Sequence, residues 1–142
     1  MVKNYTLCVL AENSPGVLHR ITSFLTRRKI NIESLTVSET EQHEISRFTI
    51  VTALPERLAP VLVRQIERII EVHQAFALED QDLLFREICL FRMEAKDREH
   101  REEIERQVLV AGGSVVAEAS GEVVVELTGT ENETKALYQT LQ

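Results

Sequence analysis

Residues 11–38 read AENSPGVLHRITSFLTRRKINIESLTVS, and the fold depends on how this stretch divides. The cluster Glu12-Asn13-Ser14-Pro15-Gly16 is turn chemistry. Ser14 is a candidate helix cap, with Pro15 at the first helical position, where a missing N–H costs nothing. Val17, Leu18, Ile21, Phe24 and Leu25 then recur at the helical period, which predicts an amphipathic helix over 15–28. Arg27, Arg28 and Lys29 close it with the charge that a helix C-terminus prefers. On the near side, NYTLCVLA (4–11) reads as a strand. On the far side, INIESLTVS (30–38) alternates as another.

Working outward, ISRFTIVTA (45–53) follows a polar link and pairs with 30–38 as a hairpin. Leu54-Pro55-Glu56 breaks the pattern. A second amphipathic helix carries Leu58, Val61, Leu62, Ile66, Ile69 and Ile70, with Pro60 in its first turn, and VHQAFALE (72–79) is a last strand. The order β-α-β-β-α-β with right-handed crossovers gives a four-stranded antiparallel sheet with both helices on one face, a ferredoxin-like α+β fold. The same order then restarts. Residues 85–93 read as a strand and 97–110 as a helix capped by Asp97, with Ile104, Val108 and Ala111 inward and Gly112-Gly113 as its stop. SVVAEA and EVVVELTG form a hairpin about Ser120-Gly121, and a final helix near Glu131 carries Ala136, Leu137 and Leu141. Cys8 matches Cys89 and His19 matches His100 in this repeat. The reading is therefore two tandem domains, 1–79 and 85–142, joined by a linker at 80–84, the second lacking its fourth strand.

Composition narrows the chemistry. The chain has 142 residues, 16 Lys+Arg against 23 Asp+Glu, a formal charge of −7 and 44% hydrophobic residues, enough for a core. Only Asp80, Asp82 and Asp97 are aspartates, a poor endowment for a hard-cation site, and no concentrated basic face invites nucleic acid. No apolar run reaches the ~18 residues of a membrane span. Two isolated cysteines in apolar runs, with no leader of the secretory type, point to reduced thiols and a cytoplasmic protein.

Two positions are candidates for binding. The turn 12–16 joins a strand to a helix N-terminus, where free N–H groups and the dipole favour an anion of carboxylate size, and Gly16 allows close approach. Ordinary turn chemistry explains the same residues. Asn31, between helix and strand, offers an amide donor and acceptor, and serves equally as a helix-end residue. Enzymatic readings fare worse. His19, His43, His73 and His100 make no HExxH and no i,i+4 pair, and Cys8 has no assigned base. Arg20 and Asn31 fit the parts of an acyl-phosphate hydrolase, but the phosphate-cradling glycine loop is missing. Phe48 and Tyr5 alone make a poor stacking platform for RNA. The mixed charges of 94–106 read as a solvated helix face, with Glu102 and Arg106 spaced to pair.

The segment quoted first closely resembles the opening of the small regulatory subunit of acetohydroxyacid synthase (acetolactate synthase), whose E-N-x-x-G-x-L-x-R segment is followed by N-I-E-S-L-T-V. The likeness continues through REICLFRMEA (86–95), which opens the family's second domain. The resemblance implies a non-catalytic chain whose first half is an ACT domain. That domain dimerises side by side and binds a branched-chain amino acid, usually valine, at the interface. The implied partner is the large catalytic subunit, which uses thiamine diphosphate, Mg²⁺ and FAD, while this chain itself holds no cofactor and no metal. The family's feedback-inhibition residues fall on Asn13, Gly16 and Asn31. The resulting expectation places the effector at Asn13, Ser14, Pro15, Gly16, Val17 and Leu18, with its carboxylate on backbone N–H groups near Pro15–Leu18 and Gly16 permitting the approach. Asn31, from the facing subunit, meets its polar end, and its aliphatic side chain lies on apolar residues such as Ile32 and Leu35. Lys29 stands where the family often has Gly, and the family normally continues past residue 142 into the second domain's last strand. A free-standing ACT-type amino-acid sensor is the alternative.

Overall fold

The computed structural model describes all 142 residues, which divide into two compact units, Met1–Leu84 and Phe85–Gln142. The first unit runs β1 (Val2–Glu12), α1 (Val17–Arg27), β2 (Ser34–Glu39), β3 (Ile45–Pro55), α2 (Ala59–Ile66) and β4 (Val72–Glu79). Its sheet is antiparallel in the order β2-β3-β1-β4, so β1 is paired on both sides, to β3 and β4. Alternation along β1 sends Tyr5, Leu7, Val9 and Ala11 toward the helices, where they meet Val17, Ile21 and Leu25 of α1 and Leu62 and Ile66 of α2. Cys8 lies on the other face, half-buried, and that burial raises its thiol pKa against a weaker opposing effect of Arg47.

The second unit runs β5 (Glu87–Glu94), α3 (Arg98–Val110), β6 (Ser114–Ala119), β7 (Glu122–Gly129) and α4 (Glu131–Thr140). Its three strands lie in the order β5-β7-β6. Here β5, the counterpart of β1, is bonded on one side only, to β7. The core is correspondingly smaller: Ile104, Val108, Val123, Val125, Leu127 and Leu137. The tandem β-α-β-β-α-β architecture is as the sequence indicates, with an ACT-like first unit. Residues 80–82 form a short 3-10 turn, tied by reciprocal bonds between Glu79 and Asp82.

Several local expectations need correction. Helix α1 starts at Val17, not Pro15, and Ser14 does not cap it; Gly16 does, with φ 86° and no side-chain bond. Strand β2 starts at Ser34 rather than Ile30, because the chain leaves α1 through a left-handed residue and must first extend. Helix α2 stops at Ile66. Arg68 and Ile69 then donate to carbonyls only three residues back, tightening the turn and leaving Ile70 fully exposed. Ala111 and Ala136 face solvent, and Thr134 takes the inward place on α4. On the charged face of α3, Arg106 pairs with Glu103 and Glu102 with Arg98, rather than with each other.

Candidate functional site

The segment between β1 and α1 is a type II β-turn. In Ser14-Pro15-Gly16-Val17 the Val17 N–H points back at the Ser14 carbonyl (3.5 Å), Pro15 holds the first corner, and Gly16 takes φ 86° and ψ −11° at the second. That turn determines which donors remain free. Pro15 has no N–H, Val17 uses its own in the turn with its side chain buried in the core, and Arg20 N–H bonds the Gly16 carbonyl at 3.0 Å. Leu18 and His19 are left presenting their N–H groups at the helix N-terminus, where the dipole is positive. The turn is pinned on both flanks. Glu12 N–H donates to the Glu71 carbonyl at 2.9 Å and Asn13 N–H to the Glu44 carbonyl at 2.8 Å. The Asn13 side-chain amide reaches Glu39 Oε1 at 3.4 Å, at the far end of β2.

Asn31 stands at the other end of that strand. α1 terminates in a full Schellman motif, with Lys29 N–H on the Thr26 carbonyl and Ile30 N–H on the Leu25 carbonyl, both at 3.0 Å. Lys29 occupies the left-handed position (φ 56°) that glycine fills at lowest cost. Ile30 and Ile32 then pack onto the core, and the Asn31 carbonyl between them accepts the hydroxyl of fully buried Thr52 at 2.6 Å. The backbone of Asn31 is thus fixed while its side chain is exposed. Strand β2 is an edge of the sheet, and all six of its residues are exposed; Leu35 and Val37, paired with Ile50 and Phe48, lie on the helix-bearing side.

Of the nine residues singled out from the sequence, Asn13, Ser14, Pro15, Gly16, Val17 and Leu18 gather at one end of β2. Asn31 and Ile32 sit at its opposite end, with Leu35 between. Six residues of strand span roughly 17 Å, so the two groups do not meet within one protomer. Elsewhere, no group of three His, Cys, Asp or Glu side chains is placed to hold a metal ion. Sequence reading considered Arg20 only for an acyl-phosphate hydrolase and missed its partner Glu71; the two side chains pair at 2.5 Å beside the turn. The signal was there: a cation in the first turn of a helix runs against the dipole and calls for a compensating carboxylate.

Comparison with known proteins bears directly on this turn and strand. A family model described as "AHAS small subunit-like ACT domain" matches residues 7–74, and one described as "Small subunit of acetolactate synthase" matches residues 86–142. The acetolactate synthase small subunit of Mycolicibacterium smegmatis is 34% identical over 138 residues, 97% of this chain and 81% of the relative. The chain belongs to the acetolactate synthase small-subunit family. A probable acetolactate synthase small subunit from Archaeoglobus fulgidus is 33% identical over 97% of this chain and 86% of its own length. Among solved structures, the acetolactate synthase small subunit of Thermotoga maritima superposes with a TM-score of 0.84 at 23% identity, covering 98% of this chain and 86% of that one. The ACT-domain match spans both the Gly16 turn and Asn31.

Proposed function

We propose that this chain is the non-catalytic regulatory subunit of acetolactate synthase, and that paired copies of its ACT domain bind valine or a related branched-chain amino acid to inhibit the enzyme. The observation that carries the reading is the placement of the two polar anchors at opposite ends of an exposed edge strand. When two copies of β2 pair antiparallel about a two-fold axis, the Gly16 turn of one protomer meets the Asn31 end of the other. In the register centred on Thr36, Leu35 faces Val37 across the junction, and the exposed apolar strip is buried in both copies.

In the paired state the effector carboxylate lies on the Leu18 and His19 N–H groups, beside the Gly16 turn. The amide of the partner subunit's Asn31 meets the polar end of the amino acid, and the branched side chain rests on Ile32 and Leu35. A methylene in such a pocket is worth only about 1–3 kcal/mol. Valine, leucine and isoleucine therefore all bind, with modest preference. Because the effector touches both protomers, it stabilises the pair, and the catalytic subunit responds to the paired form. The match over residues 86–142 favours this reading over a free-standing ACT sensor.

The test is reconstitution with an acetolactate synthase catalytic subunit. Acetolactate formation rises when this chain is added and falls again with valine, and calorimetry on this chain gives saturable heat with valine. Absence of heat with valine, leucine and isoleucine alike would overturn the effector reading. Valine binding without any effect on the catalytic subunit would overturn the assignment of the partner.

A further inference from the structure

The side chain of Arg20 folds back along α1, as helical side chains do, and lies over the turn that precedes the helix. Its Nη1 is 3.3 Å from the position that a Cβ on Gly16 would take, and its Nη2 donates to Glu71 Oε1 at 2.5 Å. Glu71 holds the turn a second time through its backbone, since its carbonyl accepts the Glu12 N–H at 2.9 Å. One residue ahead of β4 therefore grips the 12–16 turn at both ends, by carbonyl at the entry and by carboxylate, through Arg20, at the exit. The corresponding arginine of the second unit, Arg101, sits at the same fourth position of α3 but turns elsewhere, to Glu105 at 3.1 Å and Glu118 at 2.9 Å. An arginine at this position has no fixed destination, so the seat over Gly16 is set by Glu71.

We propose that the Arg20–Glu71 ion pair is a latch that holds the Gly16 turn in its binding geometry, with Arg20 and Glu71 as positioning residues that do not touch the effector. The latch ties the mouth of the proposed effector site to the turn between α2 and β4. Releasing it frees the guanidinium to move off Gly16 and lets the turn's own hydrogen bonds open more often. The turn then samples other arrangements, and the free N–H groups of Leu18 and His19 lose their alignment. The proposal rests on the effector reading for its affinity readout only; the ordering of the turn is measurable without any ligand.

The experiment uses Glu71→Gln, which keeps the backbone grip and removes the charge, alongside Arg20→Gln and the double variant, all in the full chain. Amide hydrogen exchange at Glu12 and Val17, whose N–H groups bond the Glu71 and Ser14 carbonyls, is expected to speed up about tenfold in each variant, and valine affinity to fall about tenfold, the scale of coupling between paired groups in contact. The double variant should lose no more than either single one. Exchange and affinity within twofold of the parent in Glu71→Gln would overturn the latch. So would an affinity loss in Arg20→Gln that Glu71→Gln does not share, since Arg20 would then contact the ligand itself. A parent chain that binds no valine overturns the effector reading, and the exchange measurement still decides the latch.

Discussion

Two helices hold the same place in the two units, α1 after β1 and α3 after β5, and they begin differently. The N-terminus of α3 is closed by its own chain, because Asp97 accepts the His100 N–H at 2.8 Å and supplies the negative charge that the dipole favours. The N-terminus of α1 has no side-chain cap. A type II turn ending in Gly16 delivers the helix with Leu18 and His19 open to an outside acceptor. The same architecture thus carries a self-satisfied helix start in one unit and a receptive one in the other. The sheets differ in a parallel way. β1 is buried between β3 and β4, whereas β5 has one unpaired edge and two exposed apolar side chains, Ile88 and Leu90. The proposed effector site is built on the more completely paired unit, where the supporting strands are held from both sides.

The largest expected effect tests the sheets. Leu7→Ala, at a fully buried position on β1, costs about 4 kcal/mol, and Leu127→Ala on β7 about 2.5 kcal/mol, both within the range for buried Leu→Ala and separated by how freely the surroundings collapse. Denaturant unfolding followed by resolved amide signals from each unit reads the two values, and equal costs would break the comparison. Next comes a pair of left-handed glycines. Gly16→Ala costs about 2 kcal/mol, from a positive φ together with the Arg20 contact, while Gly112→Ala, with nothing within 4 Å, costs about 1 kcal/mol from the backbone alone. Only the first abolishes valine binding.

The helix ends give a smaller effect of opposite sign. α1 and α3 finish in the same Schellman motif, but its left-handed residue is Lys29 in one and Gly112 in the other. Lys29→Gly should therefore stabilise the first unit by about 0.5–1 kcal/mol, read as a raised unfolding midpoint. The smallest concerns pH. The Thr130 backbone N–H, and after it the Thr130 hydroxyl, hold the Glu133 carboxyl below the usual carboxylate range. A depressed folded-state pKa means that the contribution to α4 is complete above the unfolded value and disappears as pH falls through the folded one. Acid titration should loosen α4 there, and Glu133→Gln should remove that step; an unchanged titration in the variant would contradict it.

These contrasts also show what the sequence made legible. Periodicity yielded the order of strands and helices in both units, the Asp97 cap, the Gly112-Gly113 stop and the hairpin at Ser120-Gly121, where both residues take positive φ. These are local signals with one local outcome. The start of α1 misled because Ser14 and Pro15 match a capped helix, while the Pro15-Gly16 pair equally specifies a type II turn. Gly16 in the left-handed region excludes the former, since no helix runs through it. The separation of Asn13 from Asn31 was legible, since the helix between them sets the two residues at opposite ends; the Asn13–Glu39 contact at the far end of β2 was not, because it depends on side chains meeting across the sheet edge.

The central claim is that the effector site is shared between protomers. Two forms of the chain, one carrying Gly16→Ala and the other Asn31→Ala, each bind no valine as homodimers. Purified through two different tags, their mixed dimer has one spoiled site with both substitutions and one with neither. Calorimetry should return one valine per mixed dimer, at the affinity of the unsubstituted protein. No binding in the mixed dimer would place both residues in a single protomer's site and contradict the account.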